Sequence, residues 1–217
     1  MIEENPWLAM WVRPRATIRA IVEQDPKRSL WLLAFIYGFT SLLNGFQSFP
    51  IALQFGVIPM LLIAVIFAPF WGYAIFSMWS YVVIWVGRLF KGQATFEQGR
   101  AAFAWAAVPL IANIPLWVLL VLFFGDFLFF GAQDQIMIAG PAVLLLFLIL
   151  IGKLVFAIWS IVIYLQALAE VQQFSVLRAI GNVILASLCI GIAVTILWTA
   201  AAIIFNAAAG PGLQPIK

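Results

Sequence analysis

Five long apolar runs, separated by short polar or charged stretches, dominate the pattern of the chain. They cover residues 29–49, 57–90, 101–124, 141–169 and 183–205. A helix needs about 20 mostly apolar residues to cross the hydrocarbon core of a bilayer, and each run reaches that length. The second and fourth runs, at about 30 residues, exceed it and must tilt, kink or extend into water. The pattern predicts an all-α membrane protein built as a bundle of five transmembrane helices.

The first 28 residues follow a different pattern, in which Ile18 and Ile21 alternate with Arg15 and Arg19 at helical spacing. Pro14 suits the first turn of a helix. This spacing predicts an amphipathic helix at the membrane interface, and a plain juxtamembrane connector is the alternative. A cleavable signal peptide has its apolar core closer to the start, so we expect the segment to be retained. The expected organisation is an N-terminal segment 1–28, a membrane domain 29–206 and a short tail 207–217.

Composition agrees with a membrane domain and narrows the chemistry. Apolar residues make up 66% of the chain and charged residues 9%, against about a quarter in an average soluble domain. Histidine is absent from the sequence, which excludes histidine-based acid–base catalysis and histidine metal sites. Asp126 and Asp134 share one loop and are weak candidates for a cation site. We expect no enzymatic activity, no catalytic, cofactor or metal-binding residue, and no nucleic-acid partner.

Basic residues are distributed unevenly between the loops. In a five-span topology, segments 1–28, 88–100 and 170–182 share one side and carry nine basic residues, whereas the other side has only Lys217. By the positive-inside rule the N-terminus is cytoplasmic and the C-terminus lies outside. We expect seven basic residues of this side to lie at the membrane surface and to face anionic lipids: Arg13, Arg15, Arg19, Arg88, Lys91, Arg100 and Arg178.

The fourth apolar run contains a charged residue, Lys153, near its centre, and Ser160 and Tyr164 continue the same helical face. A charge at the middle of the bilayer costs about 2.5–3.5 kcal/mol, so Lys153 should face the bundle and have partners. Since none of the five runs contains Asp or Glu, the expected partners are Asn44, Gln47, Asn113 or an anionic headgroup. Lys153 is either a functional residue of an intramembrane polar site or a structural residue satisfied by amides.

A faint internal repeat relates the second and fourth runs. Trp79-Ser80 matches Trp159-Ser160, and the segment from Phe96 to Arg100 matches that from Phe174 to Arg178. Each unit would be a long helix, a basic turn and a returning helix, as in the parallel repeats of some membrane proteins. The match predicts that Arg100 superposes on Arg178 and Phe96 on Phe174, and chance agreement is the alternative.

Several segments of the chain resemble one family. The start, Asn5-Pro6-Trp7 followed by residues 11–19, and the loop Gly92–Phe96 followed by Ala104–Pro109 are similar to the corresponding parts of bacterial Yip1-domain proteins. The resemblance implies a five-helix protein of the bacterial inner membrane without known catalytic residues. Eukaryotic members act in vesicle traffic and associate with Rab-type GTPases, but their aspartate-leucine-tyrosine-glycine-proline motif is missing here, so that partnership is not expected.

Two functions follow as expectations. The first is a non-enzymatic inner-membrane protein that organises or binds membrane lipids and other membrane proteins, including copies of itself. The alternative is a small transporter or channel, as a monomer or an oligomer, in which Lys153 handles an anionic solute or a lipid headgroup.

The loop charges generate a topology prediction. Cysteines placed at 93–98 should react with an impermeant thiol reagent only from the cytoplasmic side, and cysteines at 130–135 only from the outside. Labelling of both loops from the same side would contradict the five-span arrangement.

Overall fold

The chain folds into helices alone wherever the computed structural model describes it, which is over residues 5–48, 56–125 and 140–209. The loop with Asp126 and Asp134 and most of the expected tail lie outside these residues. The helices are α1 Pro6–Val12, α2 Pro14–Gln24, α3 Leu30–Ser48, α4 Val57–Leu89, α5 Phe96–Ala106, α6 Asn113–Phe124, α7 Pro141–Gln172 and α8 Val176–Ala209, with a 3₁₀ helix Val108–Ala112 between α5 and α6.

The prediction of five membrane-spanning helices is confirmed. Spans one, two, four and five are α3, α4, α7 and α8, and span three combines α5, the 3₁₀ helix and α6. The third and fifth spans begin at Phe96 and Val176, earlier than the apolar runs suggested. Hydroxyl side chains set these starts: Thr95 accepts from the Gln98 amide, and Ser175 accepts from the Arg178 amide. A cap ties the start of a helix to the turn and not to the first apolar residue.

Helices α3 and α4 form the closest pair in the fold because two glycines let their backbones touch. A Cβ atom on Gly38 would overlap the carbonyl of Ala68, and one on Gly72 would overlap the carbonyl of Ala34. These contacts make the pair antiparallel and place Trp31, near the start of α3, beside Tyr73. Helix α4 then continues past the start of α3 to Leu89, for roughly 16 residues or 24 Å at 1.5 Å per residue.

The extensions of α4, α7 and α8 beyond α3 pack with α1, α2 and α5 around the larger of two apolar cores. We call this the basic end, since it contains α2 and the turns at 90–95 and 173–175. The buried side chains Ile18 and Ile21 of α2 lie against α5 and α7. Arg19 binds Glu170 of α7, with 2.6 Å between Nη2 and Oε1. The predicted amphipathic helix thus forms. Its apolar face packs against protein, however, whereas the interfacial interpretation requires that face to contact lipid.

Gln172 joins the two turns of the basic end. Its backbone carbonyl accepts from the Gln93 amide at 3.2 Å, and its side-chain oxygen accepts from the Ala94 amide at 3.4 Å. Gly87 and Gly92 make room for this side chain, because a Cβ atom at either position would overlap it. The turn after α4 has its left-handed residue at Lys91, φ 61°, and Gly92 is required for space and not for a positive φ.

The helix starts bear on the internal repeat. Phe96 and Val176, the first residues of α5 and α8, are 80 positions apart, which is also the separation of Trp79 and Trp159. With an offset of 80 residues, Arg100 corresponds to position 180, two residues beyond Arg178. The capping residues Thr95 and Ser175, which have this offset, therefore do not support the expected pairing of the two arginines. Superposition of the complete units stays a prediction.

The α3–α4 contact generates a stability prediction. Gly72→Ala should lower the free energy of unfolding by about 1–3 kcal/mol, because its methyl group meets the Ala34 backbone and forces the helices apart. Gly45→Ala is the matched control: it lies in α3 with open space around it, and the better helix propensity of alanine should leave stability unchanged or raise it by about 0.5–1 kcal/mol. Unfolding midpoints in detergent micelles compare the two variants, and equal effects would show that close approach at Gly72 does not stabilise the pair.

Candidate functional site

Lys153 of α7 is partly buried, and its ammonium group reaches across to two other helices. Nζ donates to Oδ1 of Asn44 on α3 over 3.2 Å. The same atom lies 3.9 Å from the centre of the Trp117 ring of α6, which is the geometry of a cation–π interaction. The side chain therefore points into the bundle, and Asn44 is a partner among those that the sequence suggested. Trp117 was not foreseen, because nothing in its local sequence relates it to a residue so far along the chain.

A cavity of about 380 Å³ surrounds this ammonium group between α3 and α7. We call it the α3–α7 groove, and it is lined by Tyr37, Thr40, Ser41, Asn44, Leu110, Asn113, Lys153, Leu154 and Ala157. Helices α3 and α7 scarcely contact each other directly, since the middle of the third span fills the space behind them. The groove accordingly opens sideways, toward the surrounding bilayer.

The interrupted third span forms the floor of the groove. Pro109 and Pro115 bracket the segment, and between them the chain passes through the 3₁₀ helix into α6. Proline removes a backbone donor and breaks the α-helical pattern, which is tolerated in a membrane where the segment is buried against other helices. Asn113 lies at this junction, is buried, and its Oδ1 has no hydrogen-bond partner among the described residues. An acceptor oxygen with no donor among the described residues is thereby buried behind the surface of the groove.

The partners of Lys153 also locate it along the bundle. Asn44 is four residues, or about 6 Å, from the last residue of α3. Lys153 itself lies twelve residues after Pro141, the first residue of α7, and slightly before the centre of this 32-residue helix. Both residues thus lie on the side away from the basic end, and the depth of Lys153 in the membrane stays a prediction.

Ser160 and Tyr164 line an adjoining cavity of about 250 Å³ on the basic-end side of Lys153. Tyr37, Leu110 and Ala157 belong to both cavities, so the two are neighbours along α7. The Tyr164 hydroxyl accepts from Nε1 of Trp79 at 2.9 Å. Gln47, by contrast, is exposed and does not line either cavity. The expected polar site thus separates into a charged part at Lys153 and a mostly apolar part near Tyr164.

The seven basic residues expected at the membrane surface all lie at the basic end, but they differ in their surroundings. Arg15, Arg19 and Arg178 line an open pocket of about 470 Å³ where α2 meets the α7–α8 turn. Arg13, Arg88 and Lys91 are exposed. Arg100 is different: it is only 7% exposed and donates from Nη1 to the Tyr73 hydroxyl at 2.7 Å. The interpretation of Arg100 as a surface residue is wrong, because α5 packs this face against α4.

The chemistry available in the α3–α7 groove is recognition rather than catalysis. A cation, amide groups and hydroxyl groups line it, and they can donate to or accept from a bound polar group. A carboxylate to pair with Lys153 does not line the groove. Elsewhere in the described residues, no three His, Cys, Asp or Glu side chains lie together as they would at a metal centre.

Comparison with protein families gives one finding. The family model of the Yip1 domain matches residues 8–204, which is nearly the whole chain and includes α2 and all five spans. Searches of curated proteins and of solved structures found no match.

The Lys153–Asn44 contact generates a coupling prediction. In a double-mutant cycle with Lys153→Met and Asn44→Leu, the two side chains should show a coupling energy of about 0.6–1.7 kcal/mol, the range of interhelical hydrogen bonds in membrane proteins. Unfolding in micelles supplies the four stabilities. As a control, Gln47→Leu, one turn further along α3 and outside the groove, should show no coupling with Lys153. Equal coupling at both positions would mean that the contact with Asn44 is not specific.

Proposed function

Since this chain belongs to the Yip1 domain family, we propose that it is a non-enzymatic, lipid-binding member whose α3–α7 groove takes the headgroup of an anionic lipid. The observation that carries the proposal is Lys153, a cation in a membrane-spanning helix without a carboxylate in the groove around it. Ionisable residues within membrane spans are rare and typically belong to functional sites. An anion that binds beside Lys153 would neutralise its charge more completely than the Asn44 amide does.

The surroundings of Lys153 favour a lipid over a water-soluble anion. The groove opens toward the bilayer between α3 and α7, so a ligand can enter from the membrane. The hydroxyl group of Ser41 and the amide group of Asn44 supply donors for phosphate or glycerol oxygens. The adjoining cavity near Phe103 and Ile161 is lined mostly by apolar side chains, which suits an acyl chain. Charged, polar and apolar surfaces therefore follow one another in the order that a lipid presents them.

The proposed setting is the bacterial inner membrane, with the N-terminus in the cytoplasm. The support for this orientation is the concentration of basic residues at one end of the bundle, where nine of the eleven Lys and Arg residues lie. In this orientation Asn44, near the last residue of α3, would lie on the outer-leaflet side of the α3–α7 groove. Other membrane proteins, or further copies of the chain, remain proposed partners on the surfaces that the spans expose.

Lys153→Met tests the function directly, because it keeps the length of the side chain and removes the charge. We expect the purified variant to retain much less anionic phospholipid than the wild-type chain, when co-purified lipids are counted by native mass spectrometry. Lys91→Met is the matched control: it removes one lysine from an exposed turn and should leave retention unchanged.

Two outcomes would contradict the proposal. Equal lipid retention in the wild type and Lys153→Met would show that the groove does not hold an anionic headgroup. Lys153-dependent passage of an anion into liposomes, without Lys153-dependent lipid retention, would favour the transporter instead. Thermal unfolding of each variant confirms that the comparison is made between folded proteins.

A further inference from the structure

Arg100 is the most deeply buried cation in the described part of the chain. It lies on the first turns of α5, and its guanidinium carbon is 5.0 Å from the centre of the Tyr73 ring and 5.2 Å from that of Phe96. Burial by two aromatic rings fixes the orientation of the planar group. An arginine side chain cannot escape this environment by losing its proton, because it stays charged in proteins. Its charge must therefore be compensated in place.

The described residues compensate this charge only in part. Arginine has five N–H donors, and a single hydrogen bond, to the Tyr73 hydroxyl, engages one of them. The carboxylate of Glu97, three residues earlier on α5, does not pair with Arg100 in the structure. Its Oε1 lies 3.4 Å from Nζ of Lys27 and forms an ion pair with that lysine. Burying a guanidinium without a carboxylate is costly, and a bidentate anion is the partner that its fork of donors fits best.

A cavity of about 380 Å³ lies in front of Arg100 and brings together its charged neighbours. Its walls are Lys27, Leu30, Trp31, Tyr73, Phe96, Glu97 and Arg100. Two cations and one carboxylate give the cavity a net charge of +1. Lys27 and Glu97 are both about half exposed or more, so they can turn toward a ligand, whereas Arg100 is fixed. The cavity thus has a rigid anion-binding group and a mobile rim.

The place of this cavity in the fold indicates what reaches it. It lies at the start of α3, the level at which the chain leaves the apolar span for the charged N-terminal segment. Trp31 forms its rim, is exposed, and contacts the exposed ring of Phe70 on α4. Tryptophan is enriched at the depth of lipid headgroups. A phosphate that is attached to acyl chains would therefore lie at this depth, with its chains along the exposed surface of α3 and α4.

From this geometry we infer that the cavity between α3, α4 and α5 binds the phosphate group of an anionic phospholipid, with Arg100 as its fixed ligand and Lys27 as its second cation. This site lies beside the start of α3, whereas the α3–α7 groove lies further along that helix, between Tyr37 and Asn44, so the two sites are separate. It deepens the lipid-binding function proposed above but does not depend on Lys153.

The test is a titration of phosphatidylglycerol into the detergent-solubilised full chain, followed by native mass spectrometry. Lys153→Met serves as the background, so that the groove does not contribute. Arg100→Gln should weaken binding roughly tenfold or more, because it removes a charge-assisted hydrogen-bond donor. Arg88→Gln is the matched control: it removes an exposed arginine from the same end and should not change binding by more than about twofold.

Two variants at the rim of the cavity test the same site without changing Arg100, in case Arg100→Gln fails to fold. Lys27→Gln should weaken phosphatidylglycerol binding, since it removes a cation and leaves the Glu97 carboxylate in the cavity. Glu97→Gln should strengthen it, because it removes the competing anion. A merely structural ion pair predicts the same direction for both variants, so equal effects of Lys27→Gln and Glu97→Gln would overturn the inference.

Two further measurements identify the source of the phosphate. Phosphatidylcholine, whose headgroup has no net charge, should bind less tightly than phosphatidylglycerol, and inorganic phosphate at the same concentration should not compete. Competition by inorganic phosphate at equal concentration would overturn the assignment to a lipid. Loss of binding in the Lys153→Met background, before any change at Arg100, would show that the groove is the lipid site and that this cavity is not.

Discussion

A cation inside a protein that is surrounded by lipid needs a partner, because the low dielectric of the surroundings makes an isolated charge expensive. Two cations of this chain meet that constraint in different ways. Lys153 has an amide oxygen and an aromatic ring, and Arg100 has a phenol hydroxyl and two aromatic rings. Both sets of partners are neutral. Neither cation has an anionic partner in the described residues, and each faces a cavity large enough for an anion. The proposed lipid sites follow from these two facts.

The unequal length of the helices determines where these two sites lie. Helix α3 has 19 residues, whereas α4, α7 and α8 have more than 30. The close contact at Gly38 and Gly72 fixes the position of α3 along α4, so that α4 extends well beyond the start of α3. At this end α4, α7 and α8 pack with α1, α2 and α5 and form the larger core. The Arg100 cavity lies where α3 begins, and the Lys153 groove lies further along this helix, between Tyr37 and Asn44.

The apolar runs and the loop charges were sufficient to predict the five spans. Crossing a bilayer requires a minimum length of apolar helix, whichever other helices pack against it. Lys153 could be selected for the same reason, since a charge within a span is rare. Its contact with Asn44 could be anticipated from the scarcity of other polar groups. The contact of Lys153 with the Trp117 ring could not be anticipated, because tryptophan is common in this sequence and nothing local relates residue 117 to residue 153.

The remaining differences arise where local sequence does not specify what packs against a helix face. The amphipathic pattern of α2 describes a face that avoids water, and lipid and the flank of α7 satisfy it equally. Arg100 resembles the exposed Arg88 in its local sequence, and only the packing of α5 on α4 buries it. Gly92 is needed not for a positive φ but because the side chain of Gln172 occupies the space in front of it. All three cases depend on contacts between distant segments.

A cryo-electron microscopy structure of the chain in a bilayer nanodisc prepared from anionic phospholipid tests lipid binding at both sites most directly. We expect headgroup density within hydrogen-bonding distance of Nζ of Lys153 and, separately, phosphate density in bidentate contact with the guanidinium of Arg100. Each should continue into acyl-chain density along the adjacent helices. A structure in which protein side chains or water alone fill both cavities, while lipids are resolved elsewhere around the bundle, would contradict this expectation.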